Sequence, residues 1–189
     1  MEDMQEVQDK EQAKLEAEIG RHMMQPENYG KLEDADGIGV GVDKATKTYV
    51  IMYIKRDSSH ITDVKFGTNS ATQDAATLGS LLTEMIKGDE IVNVLLTVLG
   101  LEQDLQEAYA NIAPPKVDTS KPEGQQVEHI STDHQDSANM VLTSFRAAMR
   151  HFDRKQEGIE EEHFEMSIAK TCPYSSGDCT FIEKVSSTN

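Results

Sequence analysis

The residues of this chain best suited to hold a metal are a group of donors between His129 and Ser137 and two cysteines near the C-terminus, Cys172 and Cys179. His129, Asp133, His134 and Asp136 would together make a hard site for ferrous iron or zinc, because imidazole and carboxylate ligands suit those ions. The competing reading is structural: Asp136 and Ser137 are both good N-caps for a helix that starts there. Cys172 and Cys179 could bind metal together or act as a redox pair; in a reducing cytoplasm they could equally be free tail thiols of no special role. His22 reads as a hydrogen-bonding partner rather than a ligand, and His60, His151 and His163 as ordinary solvent-facing residues. No Cys-x-x-Cys, Walker loop, Gly-x-Ser-x-Gly elbow or His-Glu-x-x-His is present, so the familiar phosphate-binding, hydrolase and metalloprotease chemistries have no foothold.

The chain has 189 residues and a net charge of -16, from 34 acidic against 18 basic side chains. That length suits one domain with tails. The charge opposes binding to a nucleic-acid backbone or an anionic membrane and favours a protein partner. No apolar run approaches the roughly 20 residues of a membrane helix. The first twenty residues lack the basic-then-apolar pattern of a signal peptide, so a cytoplasmic protein is expected.

Residues 2–24 read as an amphipathic helix, with Leu15, Ile19 and Met23 recurring every four residues and Pro26 closing it. Gly37 to Asp43 alternates strictly, which puts Ile38, Val40 and Val42 on one face of a strand and three glycines on the other. The spacing is not that of a phosphate loop; glycine here lets a neighbouring element approach the backbone closely. Tyr49 to Ile54 and Ile61 to Phe66 are β-favouring runs, and the short turns between the three strands imply an antiparallel meander. Ser70-Ala71-Thr72-Gln73 has the form of a capping box and opens a helix to about Lys87, with Ala76, Leu78, Leu82 and Met85 available to the core and Gly88 as its stop. A further helix covers Ile91 to Ala110, led by Val92, Leu95, Leu96, Leu99 and Leu101, and a last one Asp136 to Gln156, with Met140, Val141, Phe145, Ala148, Met149 and Phe152 inward. Residues 116–134 read as a surface loop or disordered insertion, and GIEEEHFE as an acidic connector. Grouped strands and grouped helices predict an α+β fold, a three-stranded antiparallel sheet packed against a layer of helices.

The segment His22-x-x-x-Pro26-x-Asn28-x-Gly30 resembles the opening of the IscU/NifU-type iron–sulfur cluster scaffolds. The resemblance continues through Tyr53-Ile54-Lys55, Asp63-Val64-Lys65-Phe66, Leu82-Thr83-Glu84-Met85-Ile86-Lys87-Gly88, Pro114-Pro115-Lys116 and Phe145-Arg146-Ala147-Ala148, in the family's order. It implies a SufE/NifU-like two-layer fold and divides the chain into an N-terminal helical extension (1–16, partly flexible), a NifU/IscU-like domain (17–156, with the insertion at about 116–134) and an acidic connector with a cysteine-containing tail (157–189).

The resemblance also implies three cysteine ligands assisted by an aspartate and a histidine, since soft thiolates hold iron–sulfur clusters. The family's Ala-Cys-Gly-Asp turn falls on Ala45-Thr46-Lys47-Thr48, so Thr46 stands for cysteine and Thr48 for aspartate. The second cysteine falls on Ala71 or Thr72, and the last His-Cys pair on Asp136-Ser137. None of these is a thiol, so no cluster is expected at the family site. Iron or a cluster could be held only by non-standard ligation, for instance by a tail that folds back and lends Cys172 and Cys179 to the old pocket.

Three functions of different class follow. The first is a non-enzymatic adaptor or modulator in cluster biogenesis, docking on a cysteine desulfurase or another assembly protein. The second is an iron or zinc delivery protein using the Asp/His groups or the tail cysteines. The third, an enzyme with new chemistry in the former pocket, lacks a visible nucleophile–base pair.

Overall fold

A computed structural model of the chain describes residues 2–112, 120 and 131–169. The elements in order are α1 (Glu2–Met24), β1 (Gly37–Asp43), β2 (Thr48–Arg56), β3 (Ile61–Thr68), α2 (Gln73–Ile86), α3 (Ile91–Ala110), α4 (Asp133–Gln156) and β4 (Phe164–Ser167). The first three strands form the expected meander, with Gly37 opposite Ile54 and Asp43 opposite Thr48 in one pair and Val50 opposite Thr68 in the next. The expected three-stranded antiparallel sheet gains a fourth member. Phe164–Ser167 lies parallel to β1, giving the order β3-β2-β1-β4 and a mixed sheet. A four-residue strand begun inside an acidic run carries too little alternation to stand out from a connector.

Side chains alternate across the sheet, so Val50, Met52 and Ile54 of β2 and Val64 and Phe66 of β3 share one buried face. Against it pack Ala75, Leu82 and Ile86 of α2, Val94 and Val98 of α3, and Met140, Val141, Phe145 and Ala148 of α4. Burying each of the large members stabilises the fold by about 1.5–3 kcal/mol relative to exposure. The glycines of β1 act as the sequence suggested. A Cβ built at Gly39 would run into the backbone of Ser144, Ala147 and Ala148, and one at Gly41 into the carbonyl of Met140. Helix α4 therefore rests directly on the main chain of β1. The free edge of β3 is covered too: Gly30 donates its N–H to the Phe66 carbonyl at 2.7 Å, Phe66 donates to the Asn28 carbonyl at 3.0 Å, and Tyr29 stacks edge-on against the Phe66 ring.

Three local expectations change. Helix α3 buries Val94, Val98 and Tyr109, and leaves Val92, Leu95, Leu96 and Leu99 exposed. The run IVNVLLTVLGL is apolar all round, so periodicity cannot choose a face and contact with α4 does. In α2, Leu82 is core and Leu78 packs at its margin, whereas Met85 is 52% exposed. The capping box does not form: Thr72 occupies the N-cap position without a side-chain cap, because its hydroxyl meets that of Ser70 at 2.9 Å.

Candidate functional site

Three turns meet at one end of the molecule: the β1–β2 hairpin (44–47), the turn from β3 into α2 (69–72), and the start of α4. Asn69 ties the first two together, accepting from the Tyr49 N–H at 2.7 Å and donating to the Lys47 carbonyl at 3.1 Å. His134 Nδ1 lies 3.4 Å from Asp74 Oδ2, linking the starts of α4 and α2. Thr48 Oγ1 meets Met140 Sδ at 3.5 Å, linking hairpin and α4. The five positions that the resemblance singles out, Thr46, Thr48, Ala71 or Thr72, Asp136 and Ser137, lie on or directly beside these three turns.

The hairpin turn keeps an unusual backbone without its usual residue. Lys47 has φ 59°, in the left-handed region that glycine occupies at no steric cost and that the glycine of an Ala-Cys-Gly-Asp turn would fill. Asp43, buried at the end of β1, organises the turn. Its Oδ1 accepts from Ala45 N–H at 2.9 Å, and its Oδ2 from the Thr46 hydroxyl at 2.9 Å. Thr46 and Thr48 share a further hydrogen bond at 2.6 Å. The hydroxyls that stand for ligands are thus spent on each other and on Asp43.

At the start of α4, Asp136 and Ser137 are buried. Tyr109 donates its hydroxyl to Asp136 Oδ1 at 2.7 Å, and Thr132 donates to Asp136 Oδ2 at 2.9 Å. Thr132, not Asp136, is the N-cap residue, and Asp136 sits in the first turn, where a carboxylate complements the helix dipole. Burial, and then the hydrogen bond to Asp136, push the Tyr109 phenol far above its ordinary range; Asp43 adds to the effect. Asn139, one turn further on, donates its amide to the Ala169 carbonyl at 3.1 Å.

Of the metal candidates, Asp136 points inward to Tyr109, while Asp133 and His134 are exposed on the helix surface. His129, Cys172 and Cys179 lie outside the described residues. Among the described residues, no three His, Cys, Asp or Glu side chains converge as a metal site. Threonine, serine and alanine at the positions that the resemblance singles out do not fit a cluster that needs thiolates.

Sequence reasoning missed Asp43 and Tyr109. An aspartate two residues before a turn residue is a recognisable Asx-turn signal, whereas nothing local marks Tyr109. His151 is a correction. It is 4% exposed rather than solvent-facing, accepting from the Ile38 N–H at 2.9 Å through Nδ1, with Nε2 3.0 Å from the Glu161 carbonyl. His22 is fully buried, as befits a hydrogen-bonding residue, with Nδ1 2.7 Å from Ser80 Oγ and Nε2 3.0 Å from Glu84 Oε2.

Comparison with known proteins matches this architecture to one family. The model of the NifU-like N terminal domain matches residues 14–158. An iron–sulfur cluster assembly scaffold protein IscU of Archaeoglobus fulgidus is 39% identical over 74 residues, covering 39% of this chain and 48% of that protein. The chain thus spans about half the length of the archaeal relative it matches. The IscU scaffold of Aquifex aeolicus is 28% identical over 142 residues, covering 74% of this chain and 76% of the relative. Among solved structures, a NifU-like N-terminal protein of Brucella abortus is similar at a TM-score of 0.46 and 14% identity, covering 73% of this chain and 93% of that one. The chain belongs to the NifU-like N-terminal domain family.

Proposed function

We propose that this protein serves iron–sulfur cluster biogenesis as a non-enzymatic adaptor or modulator that docks on the assembly machinery, with a cysteine desulfurase or another assembly protein as partner, and does not itself build a cluster on the family's ligand positions. The observation that carries this reading is the closed hydroxyl network of Thr46 and Thr48 on Asp43, in a family whose named relatives are assembly scaffolds. A threonine hydroxyl is a hard, neutral donor and a poor substitute for thiolate at iron. Around it the hairpin carries a left-handed residue, α4 rests on the glycine strand, and His22 of α1 is held by Ser80. The strongly acidic surface suits a protein partner better than nucleic acid. A soluble enzyme role finds no nucleophile–base pair among the described residues of the site.

The test is twofold. Anaerobic incubation with ferrous iron and sulfide should leave the chain without visible charge-transfer absorbance, while the variant Thr46→Cys, Ala71→Cys, Ser137→Cys should gain it. The full chain used as bait should recover a desulfurase or scaffold from its source cells. A stable cluster on the unaltered chain, or failure to retain any assembly protein, overturns the proposal.

A further inference from the structure

The helices that pack on the sheet lie on one side of it. Met52, Val64 and Phe66 face α2, α3 and α4, and the glycines of β1 face α4. Alternation turns the next residues of each strand to the opposite face, away from these helices. The strand registers place Glu165, Val40 and Ile51 in one row across β4, β1 and β2, and Val42 beside Tyr49 in the next. These five side chains line a shallow groove of about 510 Å3, together with Lys44 and Lys47 of the hairpin turn and His163 just before β4. Its floor is aliphatic, and Tyr49 stands at its side, 39% exposed.

Charge in the groove runs against that of the chain. The whole carries -16, whereas the groove sets two lysines against one carboxylate, Glu165. Other lysines near the sheet are answered from within the chain: Lys31 by Glu33, Lys55 by Asp34 and Lys87 by Asp63. Neither Lys44 nor Lys47 makes an ion pair among the described residues. Lys47 moreover holds φ 59°, a backbone conformation that glycine would adopt freely and that disfavours lysine. The turn thus carries a strained lysine whose ammonium has no acidic partner in the described chain. Screening confines exposed charges to about 8 Å at physiological ionic strength, so an approaching group at the groove meets these lysines before the acidic remainder.

We propose that this outer-face groove docks an acidic, extended segment of a partner protein. An aliphatic side chain of the segment seats against Val40, Val42 and Ile51, and carboxylates beside it meet Lys44 and Lys47. Apolar contact supplies the anchor, and the lysines select the sign of what flanks it. A nucleic-acid strand fits less well, because the aliphatic floor offers a stacking surface only at Tyr49 and Glu165 would face its phosphates. The proposal goes beyond the adaptor reading: it assigns a docking face and the chemistry of its occupant, whichever protein carries that segment.

The experiment titrates the nitrogen-15-labelled full chain with a short synthetic peptide of glutamates around a central leucine, and follows amide shifts by NMR. Saturable shifts should centre on Lys44, Lys47, Ile51 and Glu165. The double variant Lys44→Glu, Lys47→Glu should bind roughly tenfold more weakly or worse, since each exposed ion pair contributes a few tenths to one kilocalorie and reversal turns attraction into repulsion. Both lysines are exposed, and the variant's own amide spectrum checks that it folds. Added salt should weaken the unaltered chain's binding and leave the double variant's little changed. Three results overturn the proposal: shifts that centre on another face or never saturate, equal binding of the same peptide with lysines for glutamates, or tighter binding of an oligothymidylate than of the acidic peptide. Recovery of an assembly protein by the unaltered chain reports separately on the adaptor reading.

Discussion

The seam between β1 and α4 and the turn end of the molecule differ in what they can exchange. At the seam, contact is main chain against main chain: Gly37, Gly39 and Gly41 leave no space for a single carbon beside Ala148, Ser144 and Met140. At the turn end, contacts are made by side chains: the Thr46 hydroxyl bonds Asp43, and the Tyr109 phenol bonds Asp136. Shape in this fold is therefore set by positions that tolerate no side chain, and chemistry by positions that tolerate several.

The largest expected effect tests the rigid half. Gly39→Ala should destabilise the protein by about 3 kcal/mol, because neither Ala148 nor Ser144 can move without displacing a helix; urea denaturation measures it, and a loss below 1 kcal/mol would show the seam to be as adaptable as the turns. Next, Tyr109→Phe should cost about 2 kcal/mol by removing one hydrogen bond to Asp136. The phenol's value is raised in the folded state, so its contribution is complete below the unfolded value of about 10 and is lost as pH climbs through the folded one. The gap between wild type and Tyr109→Phe should thus narrow in alkaline denaturation curves and stay constant between pH 6 and 9. The smallest effect has the opposite sign. Lys47→Gly should stabilise by up to about 1 kcal/mol, relieving a left-handed lysine; a loss instead would mean that the lysine side chain has work of its own in the turn.

Much of this was legible in the sequence where one physical signal dominated. The strict alternation of Gly37 to Asp43 announced both a strand and a close neighbour, and α4 fills that role. The end of α2 showed through its stop at Gly88, with φ 83°. Signals failed where two solutions were locally equal. The all-round apolar start of α3 offers several faces, and only packing against α4 selects Val94 and Val98. Ser70 and Thr72 could cap α2 or bond each other, and they bond each other. His151 looked exposed because nothing nearby in the chain reveals that the Ile38 N–H, left without a strand partner, waits for it. The resemblance pointed to Thr46, Thr48, Asp136 and Ser137, whereas Tyr109, which bonds Asp136, enters from a helix whose sequence link to them runs through another segment altogether.

The placement of β4 also bears on the order of folding. The β1–β2–β3 meander and α2 join residues close in sequence, and such contacts form early because little loop entropy opposes them. The pairing of residues 39–42 with 164–167 is the most distant in the sheet and must come late. Until it does, the outer edge of the glycine strand stays open to other strands. A nascent chain not yet extended past residue 163 would present that edge to its neighbours, so closure of the sheet waits until β4 has been made.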